Sequence, residues 1–414
     1  MNHSSYKESV AIPGFGKISL TVNNSTHRIS DLLLMAVRKN NKKRNFLFVS
    51  KLLAKHIPTL PKVLFESCHQ LAEQYNEQQQ LPLDNDGRFI CRQKTLVIGF
   101  AETATAMGHA VHNCFSGDVQ YVHTTRDTVE DSAFAFEFKE EHSHATEQLF
   151  YLQKEEWIKE ARDIIVVDDE VTTGKTIRNI IEQIEKHYPG KRYHVFTFLD
   201  WRNESNREAY KSYCHERQLN IQFHSLISGQ IGEIDIKDNT VIDAEIPKPL
   251  NYNATDNGWE FHTCNHSETL ISSARQGIDC EQRDSMHKLA NSITQQISTK
   301  LKGNKRSIIG TGEFMYLPMK CAEQLPGINL CNATTRSPII PNDDENYGVK
   351  RALQFAAPHD GNRVEYLYNV NNDQCDEVLV FIESIIPKAQ LSSLLMAIDT
   401  ANYQYKHVVF CKGI

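Results

Sequence analysis

The sequence predicts an α/β fold built around parallel β-sheets. Apolar runs that end in Gly, Thr or acidic loops alternate with segments of helical period, as expected for strands buried on both faces and their connecting helices. In the clearest helix, Ile177, Ile180, Ile181 and Ile184 lie on one face. With 414 residues, of which 40% are hydrophobic, the chain can bury the cores of two or three domains.

The first half alternates between helical and strand patterns. In chain order these are a helix at 63–75, a strand at 95–98, a helix at 107–114, strands at 119–123 and 164–167, a helix at 176–188 and a strand at 193–199. Pro189 and Gly190 end the helix at 176–188. Polar residues follow several of these strands, and in a parallel sheet such strand ends meet at the edge where ligands bind.

A change of composition marks a boundary in the middle of the chain. Residues 247–272 are rich in Asn, Thr, Ser and Gly and show little periodicity. We therefore place a linker there, between a domain of residues 1–246 and a smaller α/β domain of residues 273–414.

The second domain repeats the first in outline. Glu313 follows Gly310 as Glu102 follows Gly99, and a ThrThrArg triplet, at 124–126 or 334–336, follows each glutamate at nearly the same distance. The repeat favours a duplicated α/β unit. The alternative is that any two α/β halves share this alternation of strands and helices.

Composition and charge exclude several classes of protein. The formal net charge of −7 argues against a duplex-binding face, and neither a signal peptide nor a membrane span is apparent. Ten cysteines without a CxxC pair indicate reduced thiols. His262, Cys264 and His266 alternate along a polar stretch that we interpret as a surface loop rather than a metal site. We expect a cytoplasmic protein with no nucleic-acid or membrane partner, and leave a homodimer open.

The most informative segment, residues 163–176, reads DIIVVDDEVTTGKT. A buried strand delivers Asp168 and Asp169 to the ligand edge, and the next turn begins a helix whose amides, threonine hydroxyls and dipole suit a phosphate. Gly174 allows close approach of the backbone. A nucleotide P-loop would require glycine at position 169, where the chain has aspartate.

This segment resembles the signature with which type I phosphoribosyltransferases bind 5-phosphoribosyl 1-diphosphate (PRPP). The resemblance implies that Asp168 and Asp169 hold the ribose hydroxyls, together with Mg²⁺, as the catalytic acids. It assigns the 5-phosphate to Thr172, Thr173, Gly174, Lys175 and Thr176. Purine-salvage members carry an aspartate at the position of Thr172, so the site is closer to the orotate branch or to a specialised one.

The family binds diphosphate in the loop after an earlier strand. The corresponding residues are Phe100, Ala101, Glu102 and Thr103, whose amides would face the diphosphate. Glu102 would repel diphosphate unless Mg²⁺ lies between them, and its alternative role is to cap the following helix. Arg126 stands where orotate-type enzymes carry a basic diphosphate contact.

Two further features are compared with the family by position. The polar stretch 127–147, which contains His142 and His144, corresponds to the mobile loop that closes over the substrates, and a surface hairpin is the alternative. Trp201, just after a strand, is a candidate for stacking on a planar acceptor, although such aromatics more often serve packing.

The resemblance extends over nearly the whole chain. The segments 43–51, 55–58 and 99–105, the HisSerHisAla and LeuAspTrpArg strings and the PRPP motif resemble bacterial phosphoribosyltransferases encoded with tellurium-resistance and stress gene clusters. These carry a C-terminal TRSP domain, named for four residues that stand here at 335–338. The resemblance implies an orotate-type fold with an N-terminal hood for the acceptor, and a nucleoside-like product.

The second half lacks part of the motif, because Ile382 and Glu383 stand where the first half has its two aspartates. We interpret it as an altered copy that holds a phosphorylated ligand or docks a partner, with candidate residues Thr311, Glu313, Thr335, Arg336 and Ser337. For the whole chain we expect Mg²⁺-dependent phosphoribosyl transfer between PRPP and a base-like acceptor. A non-catalytic sensor of PRPP or a nucleotide, acting through protein partners, is the alternative.

Overall fold

A computed structural model describes residues 5–41, 44–129, 134–139, 147–237, 252–264 and 273–411. No helix within these ranges is long and apolar enough to cross a membrane. The predicted α/β class is confirmed, since each half has a sheet whose central strands run parallel and are connected by helices.

The first half contains helices and strands in alternation. Its helices are α1 (Ile29–Leu32), α2 (Pro61–Gln79), α3 (Thr105–Asn113), α4 (Glu156–Lys159), α5 (Lys175–His187) and α6 (Glu204–Arg217). Its strands are β1 (Tyr6–Ile12), β2 (Gly16–Ser25), β3 (Leu33–Arg38), β4 (Phe46–Ser50), β5 (Phe89–Ile90), β6 (Thr95–Gly99), β7 (Phe115–Ser116), β8 (Val119–His123), β9 (Phe134–Lys139), β10 (Glu147–Tyr151), β11 (Asp163–Val167), β12 (Glu170–Val171), β13 (Arg192–Asp200) and β14 (Asn220–Ile236).

The main sheet has the order β1-β2-β14-β13-β11-β6-β8, and its strands from β14 to β8 are parallel. Every residue of β6, β8 and β11 is buried, because apolar clusters cover the sheet on both sides. That double burial explains why these strands are continuous apolar runs in the sequence. The predicted face of α5 is confirmed: its four isoleucines are fully buried.

A small separate sheet joins the two halves of the chain. It has the order β18-β3-β4, where β18 is the segment Ile339–Ile340 of the second half. Ile339 lies beside Arg38, and the amide of Lys39 donates to the carbonyl oxygen of Pro338 at 3.0 Å. The N-terminal hood implied by the family resemblance is therefore a hairpin of β3 and β4 that the second half extends by one strand.

The second half also has a sheet of its own. Its helices are α7 (Cys280–Ser298), α8 (Tyr316–Gln324) and α9 (Lys388–Asp399). Its strands besides β18 are β15 (Trp259–Thr263), β16 (Lys305–Gly310), β17 (Ile328–Ala333), β19 (Ala352–Ala357), β20 (Asp360–Tyr368), β21 (Glu377–Ile382) and β22 (Tyr405–Phe410). The sheet has the order β15-β22-β21-β16-β17, and β19 and β20 form a separate hairpin.

The strand β15 corrects two expectations. It lies inside the predicted linker, 247–272, but pairs in parallel with β22, so this part of the chain belongs to the second domain. His262, expected in a surface loop, is buried on β15, with Nε2 3.0 Å from Nδ1 of His407. The polar composition of the segment did not indicate a strand, because β15 is a short edge strand that forms only by pairing with β22, about 150 residues further along the chain.

When elements of two to four residues are left aside, the segments from α2 to β13 and from α7 to β22 share one connectivity. The first runs α2, β6, α3, β8, the hairpin of β9 and β10, β11, α5 and β13. The second runs α7, β16, α8, β17, the hairpin of β19 and β20, β21, α9 and β22. The corresponding sheets also have matching neighbours, β13-β11-β6-β8 and β22-β21-β16-β17. This agreement supports the duplication suggested by the repeated glutamates and ThrThrArg triplets.

Candidate active site

A cleft of about 350 Å³ lies at the carboxyl ends of β6 and β11. It brings together most of the residues that the sequence singled out, namely Phe100, Ala101, Glu102, Thr103, Arg126, Asp168, Asp169, Thr172, Thr173, Gly174, Lys175, Thr176, Thr335, Arg336 and Ser337. Trp201, Thr311 and Glu313 do not line it. His142 and His144 lie outside the described residues.

The acidic pair stands where β11 ends. The amide of Asp168 donates to the carbonyl oxygen of Phe196, and the amide of Asp169 donates to Oδ1 of Asp168 at 3.1 Å. Burial raises the pKa of Asp169 to about 7, and the neighbouring Glu170 acts in the same direction. Burial and, to a lesser extent, the neighbouring carboxylate thus favour the protonated form of Asp169.

The turn after the acids has the geometry of an anion site. Gly174, with φ +78°, is the N-cap residue of α5, and the first helical amide, that of Lys175, donates to Oγ1 of Thr173 at 3.3 Å. A Cβ at this position would lie 2.5 Å from the ring of Tyr210, whose hydroxyl donates to the Gly174 carbonyl oxygen. The first turn of α5 is thus presented to the cleft with its positive dipole end and its threonine hydroxyls.

The loop after β6 offers fewer amides than expected. The amide of Phe100 donates to the carbonyl oxygen of Val167 at 3.1 Å, and that of Ala101 donates to Oγ1 of Thr124 at 2.8 Å. These two bonds fasten the loop to the sheet. Any diphosphate contact made by backbone amides of this loop therefore falls to Glu102 and Thr103.

Glu102 forms a buried ion pair with Lys55. Its Oε1 lies 2.7 Å from Nζ of Lys55, and its Oε2 accepts from the amide of Arg336 at 3.4 Å. Burial alone would raise the pKa of Glu102, but Lys55, Arg126 and Arg336 hold it below its usual value. The alternative role as a helix cap is wrong, because α3 has no side-chain cap.

The hood lines the opposite side of the cleft with residues that the sequence arguments did not assign, including Arg38, Arg44, Phe48, Ser50 and His56. Nη2 of Arg44 lies 2.6 Å from Oε1 of Glu170, which ties the hood to the acidic strand end. The strings 43–51 and 55–58 carried the family resemblance, and that resemblance was the available signal for these residues.

His56 combines burial with an unused polar atom. Its Nε2 is buried without a hydrogen-bond partner, although the residue lines the cleft. Burial, with Lys55 adding to it, lowers the pKa of His56 to about 3, so the imidazole is neutral. A buried nitrogen without a partner is costly unless a ligand or water satisfies it.

Trp201 is packed into the core rather than presented to the cleft. It is 2% exposed, and its ring stacks on Phe48 with centroids 5.5 Å apart. Phe48 lines the cleft but is itself only 3% exposed, so neither of these two rings presents an open face to the cleft.

The stretch 127–147, compared with a mobile loop, is only partly described. Within it, β9 pairs antiparallel with β10, which agrees with the alternative of a hairpin. Gln148 anchors the second strand, because its Nε2 donates to the Ala101 carbonyl oxygen at 2.7 Å and its Oε1 accepts from Oγ1 of Thr124. The hairpin is therefore fastened directly to the loop after β6.

The donor set at the end of β11 suits Mg²⁺. Asp168 and Asp169 are adjacent carboxylates facing a cleft, and hard oxygen ligands beside a phosphate site are the environment that this ion prefers. The raised pKa of Asp169 points in the same direction, since a cation would relieve the crowding of negative charge there.

Comparisons with known proteins identify the family. Residues 32–230 match the family model described as phosphoribosyl transferase, and residues 272–398 match the TRSP domain found C-terminal to it. The chain belongs to the phosphoribosyltransferases that carry a TRSP domain. Together the two matches cover well over half of this phosphoribosyltransferase, and they confirm the architecture inferred from its motifs.

Solved structures of adenine phosphoribosyltransferases are similar to part of the chain. The enzyme from Rhodothermus marinus is 15% identical, with 40% of this chain and 79% of that chain covered and a TM-score of 0.26. The Trypanosoma brucei enzyme is 9% identical, with 52% of this chain and 86% of that chain covered and a TM-score of 0.32. The Saccharomyces cerevisiae enzyme is 11% identical, with 46% of this chain and 93% of that chain covered and a TM-score of 0.29. No curated protein sequence matches the chain.

Proposed function

We propose that this phosphoribosyltransferase transfers the 5-phosphoribosyl group between PRPP and a nucleobase-like acceptor. The observation that carries the proposal is one cleft in which an acidic strand end and the N-terminus of α5 face the loop after β6 and the arginine of a ThrThrArg turn. PRPP requires three recognition elements. These are carboxylates that bind the ribose hydroxyls, a turn that binds the 5-phosphate, and cationic groups that bind the diphosphate.

Each part of PRPP has a place in this arrangement. The 5-phosphate binds the turn of Thr172 to Thr176, and the ribose hydroxyls donate to Asp168 and Asp169. The diphosphate lies toward Thr103 and Arg126. Mg²⁺, held by the acidic pair, supplies charge neutralisation for the diphosphate. This placement puts C1 of the ribose between the acids and the hood.

The reaction exchanges one bond at C1 for another. The C1–oxygen bond to diphosphate breaks, the diphosphate leaves with the electron pair, and a nitrogen of the acceptor forms the new C1–nitrogen bond and loses its proton to solvent or diphosphate. The carboxylates of Asp168 and Asp169 stabilise the positive charge that develops on the ribose ring. The same cleft supports the reverse direction, in which diphosphate attacks a nucleotide.

We place the acceptor under the hood. Phe48 contributes an apolar edge to this wall of the cleft, and the unpartnered Nε2 of His56 offers one hydrogen bond to a polar atom of a base. Burial of a planar ring there also excludes water from C1, which protects PRPP from hydrolysis. The acceptor's class is therefore a planar heterocycle with a hydrogen-bonding edge.

The direct test is a screen of nucleobases with PRPP and Mg²⁺. Release of diphosphate, followed by a coupled assay, and the mass of the new nucleotide would identify the acceptor. Gly174→Val is the matched inactive control, because a Cβ there clashes with Tyr210. PRPP binding without turnover on any base would instead favour the sensor. A cytoplasmic location and a link to tellurium resistance or stress stay predictions from the family resemblance.

A further inference from the structure

Among its described residues, the second half shows no phosphoribosyl site of its own. At the end of β21, Ile382 and Glu383 replace the acidic pair, and Glu383 is already bound by Arg275 at 2.6 Å. The helix that follows, α9, begins after Pro387, which has no amide hydrogen to offer a phosphate. The cavity at these strand ends is about 50 Å³, too small for a ribose phosphate.

Matching contacts relate the two halves by an approximate twofold axis. The amide and carbonyl of Thr59, before α2, exchange two hydrogen bonds with Cys331 on β17. The amide and carbonyl of Ile278, before α7, exchange two with Tyr121 on β8. In each half, the segment before the corresponding helix, α2 or α7, thus pairs with the outer strand of the other half.

The ThrThrArg turns show the same symmetry, because each turn contacts the opposite half. Glu313 of the second half accepts from Oγ1 of Thr125 at 2.8 Å and from the amide of Arg126 at 3.1 Å. Glu102 of the first half accepts from the amide of Arg336 at 3.4 Å. Each turn is therefore held by the glutamate of the opposite half, and the second half's turn enters the first half's cleft.

Two arginines of the second half reach this cleft and share Asp127 as an anionic partner, and Arg363 also pairs with Glu365, whose Oε1 lies 2.9 Å from Nη2. Oδ1 of Asp127 lies 2.7 Å from Nη2 of Arg336 and 3.2 Å from Nη1 of Arg363. Nε of Arg363 is buried without a hydrogen-bond partner. Asp127, with a side chain 44% exposed, occupies the position of an anion between two guanidinium groups.

We propose that Arg336 and Arg363 bind the diphosphate of PRPP, and that the second half exists to supply them to the first half's site. The inference rests on the proposed function. The incoming diphosphate displaces Asp127 and gives the guanidinium groups a more highly charged partner with oxygens spaced for bidentate contact. The TRSP motif then has a physical role: Arg336 binds diphosphate, while Pro338 leads directly into β18, which extends the hood.

Two substitutions on one ion pair separate this role from a structural one. Arg336→Ala in the full chain should weaken PRPP and free diphosphate binding by roughly tenfold to a hundredfold, and leave ribose 5-phosphate binding unchanged within about twofold. Asp127→Asn should strengthen diphosphate binding, because the competing anion is removed. Arg351→Ala, which breaks a solvent-exposed pair of the same half with Asp373, is the matched control. Calorimetry with Mg²⁺ measures all three ligands.

The outcomes are distinct. A merely structural ion pair predicts that both variants unfold earlier and that neither changes the ratio of PRPP to ribose 5-phosphate affinity, a result that overturns the inference. Arg336→Lys, which keeps the charge, replaces the alanine variant if that one fails to fold. If the wild type binds neither PRPP nor ribose 5-phosphate, the proposed function itself is wrong. If the wild type binds PRPP and ribose 5-phosphate with equal affinity, only the role assigned to the two arginines is wrong.

Discussion

At the scale of single residues, the chemistry of the cleft depends first on the protonation of Asp169. Its pKa is raised to about 7, so near neutral pH the carboxyl changes between its neutral and its charged form. We expect the affinity for PRPP with Mg²⁺ to rise as pH rises toward 7 and to level off above it, by at most about tenfold per pH unit. Calorimetry between about pH 6 and pH 8 measures the trend.

The phosphates of PRPP also titrate in this range, so a variant must isolate the contribution of Asp169. Asp169→Asn cannot take up the proton, and its affinity should show only the pH dependence of the ligand. The same variant should lower turnover by roughly two orders of magnitude, because it removes a charge beside the forming oxocarbenium ion. Identical pH profiles in the two proteins would contradict the assignment.

His56 is the second residue whose role can be isolated. His56→Phe keeps a ring in the hood but removes the nitrogen, so we expect the KM for the base to rise about tenfold while the KM for PRPP changes by less than about twofold. His56→Asn, which retains a hydrogen-bonding group, should recover part of the loss. Equal increases in both KM values would show that the imidazole only supports the hood.

At the scale of elements, the turn that begins α5 makes the sharpest prediction. PRPP should protect the wild type against thermal unfolding by about 2.7 kcal/mol at a hundredfold excess over Kd. Gly174→Val should lose this protection, because its Cβ would displace Tyr210 and the turn. Gly190→Val is the matched control: its φ is +86° and a Cβ there meets nothing within 4 Å. Protection retained by the Gly174 variant would place the phosphate elsewhere.

At the scale of the whole molecule, the two halves share one core. A single buried apolar cluster includes residues of both, among them Met107, Phe48, Tyr316 and Tyr347. His109 of α3 stacks on Tyr316 of α8 with ring centroids 4.5 Å apart. We therefore expect one cooperative unfolding transition in calorimetry. Cleavage between residues 237 and 252 should leave the halves associated, whereas either half expressed alone should expose this core and aggregate. Two separate transitions would contradict this picture.

The sequence by itself predicted the α/β class, which the structure confirms, and it singled out the acidic pair and the glycine turn that line the cleft. These features are local: Asp168, Asp169 and Gly174 stand in one string, at the end of a strand and the start of a helix. Burial on both faces makes such a strand a continuous apolar run, and the loop chemistry follows immediately in the chain. The duplication was also visible, because matching strand ends carried matching residues.

Only the tertiary structure decided which half those matching residues serve. Arg336 was a candidate for a second site, but the approximate twofold places it in the first half's cleft, more than 160 residues from the acids. Packing within the first half also buried Trp201 against Phe48 and left Nε2 of His56, a residue of the cleft wall, buried without a hydrogen-bond partner. Contacts of both kinds depend on how distant folded segments meet, and spacing along one chain does not encode that orientation.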